Sequence, residues 1–146
     1  MSHKEPLQIQ LTIPCVSEFV GIVRLAVSGV ATRMNFSIEE IEDIKIAVSE
    51  ACTNAVQYAY DNRGGNINVV CTLYSDSLEI LVRDVGKGFS LSEEMMNKKA
   101  ASDPVPDKLG LGLGMTFIKS LMDEADFKSE LGKGTTVRMI KKVMAH

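Results

Sequence analysis

Between Ile41 and Tyr60, apolar residues recur at steps of three and four: Ile41, Ile44, Val48, Ala51, Ala55 and Ala59. That spacing predicts an amphipathic helix with one buried stripe. Ser37, with Glu40 three residues on, supplies a capping box at its start. Upstream, Leu7-Gln8-Ile9-Gln10-Leu11-Thr12-Ile13 alternates strictly and predicts a half-buried strand, stopped by Pro14. Ser17–Met34 predicts a helix with Ser17 as N-cap. This helix carries Phe19, Val20, Ile22, Val23, Leu25, Ala26, Val27, Val30 and Met34, more apolar surface than one buried face needs. It is either covered on two sides or used in a protein interface. Arg24, inside that run, is either a snorkelling surface residue or a contact residue.

Past Tyr60, Asp61-Asn62-Arg63-Gly64-Gly65 is a turn by composition. Asn66–Tyr74 and Ser77–Asp84 predict an antiparallel hairpin around Ser75-Asp76. The character then changes. Gly86 to Lys108 is rich in Gly, Ser, Asn, Lys and Asp, with Pro104 and Pro106. A loop of this length in a compact domain is functional or disordered; a short helix is expected within Leu91–Ala101. Gly114–Met122 predicts a helix opening directly after glycines. Glu124–Glu130 and Thr135–Val143 predict two strands around Gly132-Lys133-Gly134. About five strands and three long helices make an α+β fold: a two-layer sandwich of a mixed or antiparallel sheet with helices on one face.

The chain has 146 residues, which favours a single domain. A net charge of −3 gives no nucleic-acid footprint. No apolar run is long enough to span a bilayer, and Met1-Ser2-His3-Lys4-Glu5-Pro6 lacks an apolar signal segment. Cys15, Cys52 and Cys71 are odd in number and lack metal-ligand spacing, which points to reduced thiols in a cytoplasmic protein. His3 and His146 lie at the extreme ends, which removes most histidine-based catalysis and any obvious zinc site.

The candidate chemistry lies at four places. Glu50 and Asn54 are one helical turn apart, on a line that borders the apolar stripe. A carboxylate and a carboxamide there must be satisfied by something, and a tertiary hydrogen-bonded pair is the plain alternative to a site. Asp84-Val85-Gly86-Lys87-Gly88 ends a strand; its aspartate can accept from an exocyclic amine and its glycines admit close backbone approach. Gly110-Leu111-Gly112-Leu113-Gly114 is expected to open a helix, where free N–H groups bind phosphate. It lacks the dinucleotide-fingerprint spacing. Gly132-Lys133-Gly134-Thr135 is not a P-loop, because no Ser or Thr directly follows the lysine. A turn or hinge is the plain reading of each glycine motif.

In this order, Glu50 and Asn54, Asp84-x-Gly86-x-Gly88, a long loop, Gly110-x-Gly112-x-Gly114 and Gly134-Thr135-Thr136 resemble the box set of the GHKL ATP-binding domain, also called the Bergerat fold. The segment Ile44-Lys45-Ile46-Ala47-Val48-Ser49-Glu50-Ala51-Cys52-Thr53-Asn54-Ala55-Val56 resembles the anti-sigma-factor serine kinases of Gram-positive bacteria, the anti-sigma-B regulators above all and then the sporulation anti-sigma-F factors. The likeness runs from about Leu7 to Lys142.

The resemblance implies a protein-serine kinase that uses ATP, with ADP as product, and Mg²⁺. It implies that Asn54 ligates Mg²⁺, that Glu50 is the general base for a serine hydroxyl, and that Asp84 reads the adenine amine with Gly86 and Gly88 shaping that end. Phe89–Leu109 would be the ATP lid, Gly110, Gly112 and Gly114 would flank the triphosphate, and Thr135 or Thr136 would hydrogen-bond near adenine. Such chemistry is positioning plus charge neutralisation. Some relatives place a phosphate-binding arginine just before the Gly-x-Gly; here Gly110 and Leu111 stand there and Lys108 is the nearest cation. The implied partners are a sigma factor, an anti-anti-sigma protein of the STAS type and a second copy of the chain, with no direct nucleic-acid or membrane contact. An ATP-binding anti-sigma module without kinase activity is the alternative. A histidine-kinase catalytic domain is disfavoured because no phospho-acceptor histidine helix precedes it, and a gyrase-type ATPase because no transducer domain is present.

Overall fold

A computed structural model describes residues 5–58, 65–86 and 106–144, with side chains over 5–57, 65–86 and 113–144. The elements run β1 (Leu7–Pro14), a 3-10 turn (Ser17–Phe19), α1 (Val20–Ala31), α2 (Ile38–Tyr58), β2 (Asn66–Leu73), β3 (Ser77–Asp84), α3 (Pro106–Leu121), β4 (Glu124–Glu130) and β5 (Gly134–Lys142). The strands form one sheet in the order β1-β2-β3-β5-β4, and every neighbouring pair is antiparallel. The expected choice between mixed and antiparallel thus resolves to antiparallel.

Strand alternation decides which face is covered. Ile67, Val69, Cys71, Leu78, Ile80, Val82, Val137 and Met139 are buried beneath the helices. The opposite face carries a polar lattice: Gln8 to Thr72, Asn68 to Thr12, Arg83 to Asn68, and Arg138 to Glu79 and Asp126. The helices lie side by side, α2 between α1 and α3, so that α2 spans the middle of the sheet. Its stripe of Ile44, Ala47, Val48, Ala51 and Cys52 is fully or almost fully buried.

The capping box forms as its sequence dictates: the Ser37 N–H donates to Glu40 Oε1 at 2.7 Å and the Glu40 N–H to Ser37 Oγ at 3.1 Å. Two expectations are corrected. Ser17 is not the N-cap of α1; it begins a 3-10 turn, and Phe19 precedes the helix without a side-chain cap bond. The helix expected from Gly114 begins at Pro106 instead, so Gly110, Gly112 and Gly114 lie inside α3. Proline is suited to the first position of a helix, where its missing N–H has no partner to lose. The segment expected as a lid therefore divides: 89–105 lies outside the described residues, and Pro106–Leu109 is helical.

Candidate functional site

Glu50 and Asn54 project from the flank of α2 that faces α3. Asn54 is 94% buried, with 6% exposure, and among the described residues its Nδ2 has no hydrogen-bond partner. An unpaired buried amide is costly, of order 1–3 kcal/mol. What faces it is Gly114 of α3. A Cβ added to Gly114 would lie 2.9 Å from Glu50 Oε2, 3.0 Å from Asn54 Nδ2 and 3.4 Å from Asn54 Oδ1. Glycine at 114 lets α3 approach this pair, and a side chain there would have to push Glu50 and Asn54 aside. The third glycine of the motif is thus placed directly over the two polar residues that the sequence singles out. It brings backbone, rather than a side chain, to them.

The second part of the site is a row across the sheet. Ser129 on β4 pairs with Thr135 on β5, which pairs with Asp84 on β3, all on the helix-covered face. Asp84 is 8% exposed. Its Oδ1 accepts from the Gly86 N–H at 2.9 Å, an Asx turn, and from the Thr135 N–H at 3.3 Å. Burial pushes the Asp84 carboxyl above its ordinary value, and the bonds from Gly86 and Thr135 act against that rise. Both backbone bonds fall on Oδ1, so among the described residues Oδ2 is left to accept from something else. Ser129 Oγ and Thr135 Oγ1 are 2.7 Å apart.

Gly134 makes this row possible. Its φ is +91°, and a Cβ there would lie 2.1 Å from the Asp84 carbonyl oxygen. Only glycine lets β5 begin so close to the end of β3.

The two parts share one end of the molecule. Burial pushes Cys15, just after β1, up to about 11, and the nearby Asp84 charge adds to the rise. Burial pushes Cys52 of α2 up to about 12, with Cys15 a second contributor. The C-terminal end of α2, which holds Asn54, leads into β2, whose Ile67 pairs with Asp84, so Asn54 and Asp84 lie towards the same end of the sheet.

The sequence reading is resolved residue by residue. Glu50, Asn54 and Gly114 come together, as do Asp84, Gly86 and Thr135. Thr136 does not join them: it pairs with Arg83 and Lys128 and faces the other side of the sheet. Gly110 and Gly112 lie in α3 and the helix also spans Lys108, whose side chain is outside the described residues, as is all of Gly88. Ser129 escaped the sequence reading because a serine in an alternating strand carries no signal until register places it opposite Thr135. A groove of about 840 Å³ opens at the far end of the sheet, lined by Arg33, Met34, Tyr74, Asp76 and Arg138 among others, and none of the site residues line it.

The fit to a cation can be tested on the donor set. Among the described residues, no group of three His, Cys, Asp or Glu side chains could hold a metal. A hard cation held by Asn54 would complete its shell with phosphate and water oxygens, the habit of Mg²⁺ in nucleotide sites. Rotating the Asn54 carboxamide by half a turn puts its carbonyl oxygen where the unpaired nitrogen stands, which suits such a cation. The residues fit.

Comparison with known proteins identifies the family and the fold. Residues 16–141 match the family described as histidine kinase-like ATPase domain. The chain is 45% identical over 134 residues to the serine-protein kinase RsbW of Halalkalibacterium halodurans, covering 90% of this chain and 82% of that protein. It is 40% identical over 136 residues to the serine-protein kinase RsbW of Bacillus subtilis, covering 91% and 84%. Among solved structures, it resembles the RsbU and RsbW domains of a Mycobacterium tuberculosis protein at a TM-score of 0.66 and 22% identity, over 93% of this chain and 32% of that one. A mycobacterial sensor histidine kinase, MprB, shares the fold at a TM-score of 0.52 and 15% identity, over 92% and 97%.

Proposed function

Because the chain belongs to the family of the serine-protein kinases RsbW, within the histidine kinase-like ATPase domains, we propose that it is both an ATP-dependent protein-serine kinase and an anti-sigma factor. It holds a sigma factor inactive and phosphorylates a serine of an anti-anti-sigma protein of the STAS type. The observation that carries this reading is the close approach of Gly114 to Glu50 and to the buried Asn54, whose Nδ2 has no partner among the described residues.

In this reading Asn54 holds Mg²⁺, which neutralises phosphate charge when bound. Glu50, one turn away, accepts the proton of the incoming serine hydroxyl. Asp84 accepts from the adenine amine through the oxygen that its backbone bonds leave open. Gly86 and Gly88 shape that end, Thr135 completes the adenine contacts, and Gly110, Gly112 and Gly114 bring α3 backbone to the phosphates. The three described cysteines are free thiols, which suits a cytoplasmic setting.

A second copy of the chain is the further partner. Its docking surface is the outer face of α1, where Ile22 and Leu25 are exposed along with Ala26 and Gly29, together with the open edge of β1, where Leu7 and Ile9 are exposed.

The reading without kinase activity is favoured by one observation. The family resemblance implies a phosphate-binding arginine just before the Gly-x-Gly, and Gly110 and Leu111 stand there instead. Incubating the protein with γ-labelled ATP and a STAS protein from the same genome separates the two. Label on a serine of the STAS protein is the expected result. ATP binding and sigma-factor capture without any transfer would leave the binding module.

A further inference from the structure

The row Ser129–Thr135–Asp84 raises a question of proton bookkeeping. The inference drawn from it rests on the reading of Asp84 and Thr135 as the adenine contacts. Adenine's pairing edge presents an amine that donates and, beside it, a ring nitrogen that accepts. Guanine presents the reverse pattern. A site selective for adenine needs an acceptor next to a donor. Asp84 is the acceptor. Among the described residues beside Asp84, the donor is the Thr135 hydroxyl, since the Gly86 and Thr135 N–H groups are already given to Asp84 Oδ1.

The Thr135 hydroxyl has one proton, and Ser129 Oγ stands 2.7 Å from it. If Thr135 donates to Ser129, nothing remains for the base. If Ser129 donates to Thr135, the threonine proton is free to point at the ring nitrogen. Among the described residues, the Gly134 carbonyl competes for the serine proton, but at 3.5 Å, the outer limit of a hydrogen bond. The 2.7 Å contact takes it. We infer that Ser129 is a positioning residue for base recognition: by donating to Thr135 Oγ1 it commits the Thr135 hydroxyl to donate to the adenine ring nitrogen. Ser129 acts through Thr135 and from the far side of β5, with no contact of its own to the base.

The test measures binding of ATP and of an ATP analogue with C–H in place of the ring nitrogen beside the amine-bearing carbon. Wild type binds the analogue about three- to tenfold more weakly than ATP, the worth of one hydrogen bond. Ser129→Ala weakens ATP binding and brings that ratio towards unity. Thr135→Val does the same, and adding Ser129→Ala to it changes nothing further. Ser129→Thr restores the ratio. Phosphotransfer at saturating ATP is unchanged in Ser129→Ala, so the loss appears in KM and not in kcat. Should Ser129→Ala fail to fold, Ser129→Cys keeps the volume with a weak donor and gives an intermediate ratio. Full discrimination in Ser129→Ala, with discrimination lost in Thr135→Val, overturns the inference and leaves the adenine reading standing. Full discrimination in Thr135→Val, with adenine preference also intact in Asp84→Asn, overturns both.

Discussion

Asp84 shows how a site residue can oppose the fold that holds it. Its carboxyl is raised by burial, so the folded protein binds that proton more tightly than the unfolded chain does. Stability on this account is fully present in acid and is lost as pH rises from the ordinary carboxylate range through the raised value. Asp84→Asn cannot ionise, yet it keeps an oxygen for the Gly86 and Thr135 N–H groups. Without nucleotide, this variant is expected to be more stable than the parent at neutral pH, with the gap closing on acidification. Thermal unfolding across that range checks it. Adenine preference over guanine falls in the same variant. At this scale Glu50, Asn54 and Asp84 were legible because their chemistry is unusual for where the hydrophobic pattern put them. Thr135 and Thr136 could not be told apart, since adjacent strand residues face opposite sides and only register says which side holds Asp84.

At the scale of elements, the two glycines that touch the site should respond differently to alanine. Gly114→Ala puts a methyl group against the far ends of two side chains, Glu50 and Asn54, which can move. Helix propensity alone favours alanine by about 1 kcal/mol. Stability is therefore expected to stay within about 1 kcal/mol of the parent, while ATP affinity falls at least about tenfold, because what moves is the site. Gly134→Ala meets backbone, the Asp84 carbonyl oxygen, at a positive φ. It is expected to cost about 2 kcal/mol or more and to disturb the Asp84 row with it. Denaturant unfolding and nucleotide titration on both variants separate the two cases.

The glycines of α3 explain why its start was misread from sequence. Three alternating glycines read as a helix start, because glycine is a poor helix former. Here close approach to α2 outweighs propensity. The other end of α3 is fixed by Lys141, 11% exposed, whose Nζ donates to the Leu121 carbonyl and lies 3.5 Å from Asp43 on α2. The strands were read nearly to the residue because alternation and Gly-rich turns bound them sharply. The helix-to-helix contact that makes the site is not a periodic feature and left no such trace.

For the whole molecule, the sequence left open whether the apolar first helix was covered on both sides or used for association. Leu25 is 74% exposed and Ile22 48%, so one side is uncovered in the single chain. If that face and the β1 edge join two copies, the paired change Ile22→Glu and Leu25→Glu converts a dimer to a monomer of unchanged fold. Sedimentation with circular dichroism reads both.

The central claim is that α2 and α3 together make a phosphotransfer site in which Glu50 accepts a proton and is not needed to hold nucleotide. Single-turnover transfer from ATP to a STAS protein by Glu50→Gln, with ATP affinity and thermal unfolding taken on the same preparation, tests it most directly. ATP binding and stability are expected near wild type, with transfer slower by at least about 10²-fold, the contribution of a general base. Undiminished transfer by a stable variant with intact binding, or a loss of stability that accounts for the whole effect, would contradict it.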